Sequence, residues 1–176
     1  MEHRRITVIR GDGIGPSIVD AAIAVLDHVG CGFTYDYVDG GLKALENTGE
    51  LLPQQTLDAI ERNRVVLKGP LTTPIGKGFS SINVSLRQRF QLYANVRPVI
   101  SFAGTRARYE DIDIITVREN TEGMYSGHGQ TVSDDDTLAE ALSVITRGGA
   151  ERILRFAFDL AQREGRRKIT VVHKAN

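Results

Sequence analysis

The stretch VIRGDGIGPSIVDAAIAVL, residues 8–26, decides the fold. A short apolar run, Ile6–Ile9, leads into three glycines, Gly11, Gly13 and Gly15. Beyond them lies Ser17–His28, whose apolar residues Ile18, Ala21, Ala22 and Leu26 recur at helical spacing. The pattern predicts a strand, a glycine loop and a helix. A dinucleotide-binding loop has this outline, but it needs G-x-G-x-x-G and an acidic residue after the second strand to hold the ribose. Here the third glycine falls one residue early, and Asp36 and Asp39 are the candidates for the acidic part. The competing reading is a tight strand–helix turn, in which glycine lets the backbone approach another element. The loop by itself leaves both open.

Further along, FTYDYV alternates as a strand, GGLKALENTG and PQQTLDAIERN read as helices, and RVVLKGP reads as a buried strand closed by Gly69 and Pro70. Strands alternating with helices predict a parallel α/β sheet. After Pro98 the character changes. DIDIITVREN is a predicted strand, MYSGHGQTV a ribbon and AEALSVITR another strand. GGAERILRFAFDLAQREG is an amphipathic helix ended by Gly165, and RKITVVHKAN a last strand. A domain boundary is placed near Pro98, giving residues 1–98 and 99–176.

Basic and acidic residues balance at 22 each, so nothing points to a nucleic-acid or membrane surface, and any positive site is local. No apolar run is long enough to span a bilayer. The single cysteine, Cys31, excludes an internal disulfide framework and fits a reducing compartment; it reads as a small packing or surface residue. The first strand begins almost at once, which leaves no room for a targeting segment, and the chain reads as cytoplasmic.

Arginines supply the most informative pattern. In LTTPIGKGFSSINVSLRQRFQLYANVRPV, Pro74, Gly76 and Gly78 make Thr72–Phe79 a loop. Ser80 or Ser81 then caps a helix running to about Phe90. Asn83 and Arg87, four apart, share a helical face, whereas Arg89 points away. Arg97 is held extended by Pro98, and Arg118 comes from the strand in TVRENTEGMY. Arginine suits bidentate carboxylate binding, so three arginines beside a helix N-terminus suit a substrate with several carboxylates. Solvated surface arginines are the alternative. Tyr125, in a glycine-flanked polar stretch, is either structural or catalytic. Lys174, ending an apolar strand, is either a solvated lysine or a base whose burial favours the neutral amine. His173 faces the other way. The run SDDD, residues 133–136, reads as a turn, because consecutive aspartates cannot all converge on one ion.

GDGIGP, LKGPLTTPIG, LYANVRP, VRENTEGMYSG and VHKAN together resemble, in order and over essentially the whole chain, the β-decarboxylating dehydrogenases: the isocitrate, isopropylmalate, homoisocitrate and tartrate enzymes. The resemblance implies an isopropylmalate dehydrogenase-like α/β fold with non-Rossmann cofactor binding. Residues 1–98 would then begin the larger, cofactor-binding domain, and 99–176 the smaller, substrate and dimerisation domain. SSINVSLR looks like the isocitrate members. By resemblance, Ser81 and Asn83 meet the carboxylate that distinguishes isocitrate, and Arg87, Arg97 and Arg118 bind the others. Thr72 and Asn176 lie near the nicotinamide of NAD (or NADP), with LYANVRP leaning toward NAD. Tyr125 returns a proton to the enolate left by CO2, and Lys174 helps deprotonate the hydroxyl in the neighbouring subunit's site.

The resemblance also implies Mg2+ or Mn2+, a homodimer or higher homo-oligomer, and isocitrate as substrate. Relatives continue beyond this length, so the chain is expected to be an N-terminal portion, inactive alone, with the metal carboxylates and adenine loop outside it and no metal ligand within it. A non-catalytic regulatory subunit is disfavoured, because Arg87, Arg97, Arg118, Tyr125 and Lys174 are all present.

Overall fold

Strand β1 (Arg5–Ile9) lies between β2 (Thr34–Val38) and β3 (Val66–Lys68), parallel to both, as the strand–helix alternation predicts. The computed structural model describes residues 4–74 and 81–173. β1 is buried from Ile6 to Ile9, which is why its sequence is a continuous run and not an alternating one. Ile6 and Val8 pack on Val19 and Ile23 of helix α1 (Gly15–His28), with Phe33, Tyr35 and Leu67 around them. Thr7 is buried with them; its hydroxyl donates to the Ala59 carbonyl (2.9 Å) and accepts from Asn63 Nδ2 (2.9 Å) on helix α3 (Gln54–Asn63). Helix α2 (Leu42–Thr48) comes between β2 and α3.

The glycine loop takes the packing reading. Gly11 and Gly13 have φ of 79° and 58°, and the Asp12 amide donates to the Pro70 carbonyl (2.8 Å) just beyond β3. A Cβ on Gly11 would collide with that same carbonyl oxygen, and one on Gly15 or Gly69 with the carbonyl of Arg10. The concavity that would receive a pyrophosphate in a Rossmann loop is filled by the protein's own backbone. Neither acidic candidate is free for a ribose: Asp36 is paired with Arg62 (2.6 Å) and Asn63, and Asp39 with Lys43 (2.8 Å) and Asn47. The Arg62 and Asn63 hydrogen bonds hold the Asp36 carboxyl below the ordinary aspartate range.

Gly69 and Gly13 make a paired test of this seam. Gly69→Ala is expected to lower stability by about 3 kcal/mol, since overpacking here meets backbone that cannot rotate away. Gly13→Ala meets nothing within 4 Å. It should lose only the left-handed backbone cost of about 1 kcal/mol. Urea unfolding of both variants checks this, and equal losses would argue against a steric seam.

The chain divides into two compact units, Met1–Ser85 and Leu86–Asn176, the division falling within helix α4 (Ile82–Arg89), whereas Pro98 lies inside a strand. In the second unit that strand, β4 (Ala94–Ile100), pairs antiparallel with β5 (Asp113–Glu119). A small ribbon joins β6 (Thr131–Val132) to β7 (Ala139–Glu140), and helix α5 (Arg147–Arg163) follows. The Thr146 hydroxyl caps α5 by accepting from the Gly149 amide (3.0 Å). The SDDD run is a turn, as predicted: Asp135 accepts from Ser133 and Thr137, bonds that draw its carboxyl down to about 2.

Two predicted strands differ. AEALSVITR is a strand only at Ala139–Glu140, after which a single bridge joins Gly123 to Val144. Residues 166–173 are irregular; apolar alternation becomes a strand only when a ladder forms beside it, and none forms there among the described residues. Cys31 is exposed and free.

Candidate active site

In the first unit, Asp12 organises the residues around the glycine turn. Its carboxylate accepts from Thr72 N (2.7 Å), Leu42 N (3.0 Å) and Lys43 N (3.3 Å). The last two are free donors at the start of α2, where an anion is favoured. Thr72 is therefore fixed through its backbone while its side chain stays exposed. The sequence reading passed over Asp12. Its position in a glycine turn marked it only as a turn residue, since the partners that define its role lie 30 and 60 residues away.

The start of α4 differs in detail from the predicted cap. The Ile82 amide is satisfied by the Thr73 hydroxyl (3.2 Å), reaching from the preceding loop. Ser81 is exposed just before the helix, and its carbonyl accepts from Ser85 N (2.9 Å). Asn83 lies on the first turn, half-buried, four residues before Arg87. Ser80, Gly76 and Gly78, along with Lys174 and Asn176, lie outside the described residues.

The second unit brings three of the predicted residues together. The Arg118 guanidinium donates through Nη2 to the Tyr125 hydroxyl and sits 5.2 Å from the centre of its ring; that of Arg87 lies 5.9 Å from the same centre. Tyr125 is thus flanked by two cations. The Tyr125 carbonyl accepts from Gln88 Nε2 (2.9 Å), which ties it to the residue after Arg87. Register places Arg97 opposite Thr116 and Asn95 opposite Arg118. Side chains two apart on a strand share a face, so Arg97 and Arg118 lie on one face of the ribbon. Arg97 Nε donates to Asn95 Oδ1 (3.2 Å) and is exposed.

Behind Arg118 the chain turns on Glu119. Its carboxylate accepts from Thr121 N (2.8 Å), Thr121 Oγ1 (2.6 Å) and Glu122 N (2.7 Å), and pairs with Arg152 (3.3 Å). Burial opposes its ionisation, but the bonds from Thr121, Glu122 and Arg152 outweigh that and leave it below the ordinary glutamate value. Glu122 in turn accepts from Thr146 N (2.9 Å) and Thr146 Oγ1 (2.7 Å) at the start of α5. The two glutamates of VRENTEG are thus structural anchors for a turn whose flanks, Arg118 and Tyr125, remain exposed or half-exposed.

Chemically, this arrangement offers guanidinium groups for carboxylates and a phenol hydroxyl beside a positive charge. Phenolate charge left by a departing proton would develop against that cation. Among the described residues no group of three His, Cys, Asp or Glu is placed to hold a metal ion. No helix among them is long and apolar enough to cross a membrane.

Comparison with known proteins shows which family the chain resembles. The isocitrate/isopropylmalate dehydrogenase family model matches residues 5–176. The probable mitochondrial NAD isocitrate dehydrogenase subunit alpha of Drosophila melanogaster is 40% identical over 173 residues, covering 98% of this chain and 45% of that protein. The 3-isopropylmalate dehydrogenase of Archaeoglobus fulgidus is 43% identical over 173 residues, covering 98% of this chain and 51% of that protein. The crystal structure of isocitrate dehydrogenase from Methylococcus capsulatus superposes with a TM-score of 0.85 at 52% identity, covering 94% of this chain and 49% of that one. The chain spans about half the length of the curated relatives it matches.

Proposed function

The chain belongs to the isocitrate/isopropylmalate dehydrogenase family, and on that premise we propose that a full-length enzyme carrying it oxidatively decarboxylates isocitrate to 2-oxoglutarate and CO2, with NAD as the preferred hydride acceptor. The observation that carries this reading is the convergence of Arg87 and Arg118 on Tyr125. Arg87, Arg97 and Arg118 hold substrate carboxylates as charge-assisted, forked hydrogen bonds. Ser81, just before α4, and Asn83, on its first turn, meet the carboxylate that separates isocitrate from its relatives. After CO2 leaves, Tyr125 donates its proton to the carbon of the enolate, and Arg118 faces the charge left on the phenol oxygen.

The described residues suit only the nicotinamide end of the cofactor, where the exposed side chain of the anchored Thr72 is available to it; the glycine seam has no room for phosphate. A bound nicotinamide would supply hydride acceptance, and a divalent ion polarisation of the ketone; among the described residues no group of three His, Cys, Asp or Glu is gathered to hold that ion. Lys174 as base for the hydroxyl, Asn176 beside the cofactor, a homodimer sharing Lys174 between subunits, and a cytoplasmic location complete the reading. They rest on the motif resemblance.

A second reading, 3-isopropylmalate oxidation, is favoured by the Archaeoglobus fulgidus relative, at an identity similar to that of the Drosophila one. Steady-state assays with isocitrate and 3-isopropylmalate, each with NAD and NADP, decide between the two. The expected result is isocitrate with NAD as the pair of highest kcat/KM; a preference for 3-isopropylmalate would overturn the assignment.

Ser81 gives the mutational counterpart. Ser81→Glu sets a second negative charge beside the substrate carboxylate, a repulsion on the order of 4 kcal/mol at about 4 Å and an effective dielectric near 20. Water and side-chain motion reduce this to roughly two factors of ten in isocitrate affinity. Ser81→Leu, which changes shape without charge, should lose less. Calorimetric titration in low salt checks both, and equal small losses would remove Ser81 from the substrate site.

A further inference from the structure

Arg152, on the inner side of α5, touches nothing assigned to substrate, yet its bonds connect the two segments that present Tyr125. Its Nη2 donates to Thr121 Oγ1 (2.6 Å) and Glu119 Oε1 (3.3 Å), fixing the turn that follows Arg118. Its Nη1 donates to Gln91 Oε1 (3.1 Å), and the guanidinium lies 5.0 Å from the centre of the Tyr93 ring. Gln91 passes the connection on: its Nε2 donates to the Gln88 carbonyl (2.9 Å), and Gln88 Nε2 donates to the Tyr125 carbonyl (2.9 Å). The circuit returns to Arg152 through the turn, where Tyr125 N meets the Glu122 carbonyl (3.4 Å) and Glu122 N meets Glu119. Every bond in it lies between residues 88 and 152.

Tyr93 stacks edge-on against Phe156 of α5, with ring centres 6.1 Å apart, so the guanidinium is braced on an aromatic pair. Only a forked, planar cation can serve Gln91, Thr121 and Glu119 together; an ammonium is a single point of charge. Gln91 itself adopts φ of 50°, a conformation non-glycine residues seldom take, which its side-chain bonds to Arg152 and Gln88 hold in place.

We propose that Arg152 is a positioning residue for the proton-transfer step: through Gln91 and Gln88 on one side and Glu119 and Thr121 on the other, it holds Tyr125 in register with Arg118. This rests on the reading of Tyr125 as proton donor. Displacing a reacting group by about 1 Å costs on the order of 10- to 100-fold in rate. The expected loss in an Arg152→Met enzyme is therefore in kcat, by about that factor, with KM for the substrate within about threefold. Arg152→Lys should recover little of it.

The test uses a full-length enzyme carrying this chain, with rates normalised to titrated active sites and with whichever of isocitrate or 3-isopropylmalate it turns over. Four forms are compared: the parent, Arg152→Met, Tyr125→Phe and the double variant. If Arg152 acts through the Tyr125 hydroxyl, Arg152→Met adds nothing to the kcat loss already caused by Tyr125→Phe. Additive losses would overturn the proposal, because they mean that Arg152 acts elsewhere. Should Tyr125→Phe alone leave kcat unchanged, the proton-donor reading itself has failed. Gln88→Met, at an exposed position where folding is not at risk, removes only the last link; it should lower kcat with KM kept, and an unchanged kcat counts against the circuit.

Discussion

Replacing Tyr125 by phenylalanine is expected to lower kcat about 100-fold or more while leaving the affinity for isocitrate within a few fold. Positioned proton transfer contributes about 10²- to 10⁴-fold, and the hydroxyl is the only group the change removes. Arg118 loses an acceptor at the same time, for its Nη2 donates to that hydroxyl. Its charge remains available to the substrate, which is why binding changes little. The reaction carries its own second readout. In D2O the parent enzyme should deliver one deuteron to a single face of the enolate, giving one stereoisomer of the product after trapping by reduction. In Tyr125→Phe the enolate takes its deuteron from solvent, and the product should be mixed. A variant that remained fast and stereospecific would assign the proton to another group.

Arg118→Met is the second large effect, and it should divide differently between the constants. A hydrogen bond to a charged partner is worth about 1.5–3 kcal/mol, so losing a forked pair removes about 10²- to 10⁴-fold in kcat/KM. KM should rise because a carboxylate loses its partner, and kcat should fall because the Tyr125 hydroxyl loses its donor. Folding should be nearly unaffected. Arg118 is exposed on β5, and the ladder with β4 is made by backbone, so a stability change within about 0.5 kcal/mol is expected. Substrate kinetics alongside urea unfolding distinguish this outcome from simple loss of folded enzyme.

The features legible in the sequence were those written in neighbouring residues. β1, α1 and α3 follow from period and turn chemistry, whereas the early third glycine left the phosphate cradle and the packing turn both open. That Arg87 comes from a helix, Arg118 from a strand and Arg97 from extended chain was equally readable; that Arg97 lies in a strand paired with that of Arg118, and that Arg87 and Arg118 meet at Tyr125, was not. The anchors escaped for the same reason. Asp12 looks like an ordinary turn aspartate until Thr72 and the start of α2 are brought to it, and Arg152 looks like one more charged residue on an amphipathic helix. Such roles are defined by partners that are remote along the chain, and no local pattern encodes them. The alternation in 166–173 shows the converse: a local pattern that finds no partner strand among the described residues.

The ribbon of β4 and β5 has a consequence for handling this chain. Its strands pair with each other and with no other described strand, so each keeps an outer edge without a ladder among the described residues, although the Asp113 carbonyl accepts from Arg166 Nη1 (3.3 Å). Val99, Ile100 and Ile114 lie exposed on the strands, and Phe102 just past the end of β4, 74% exposed. An edge of this kind is a template for another strand, and at high concentration the cheapest such strand is the same one from a second molecule. The 176-residue chain purified alone is therefore at risk of edge-to-edge aggregation. The charged side chains available to blunt those edges include the same arginines that the site requires.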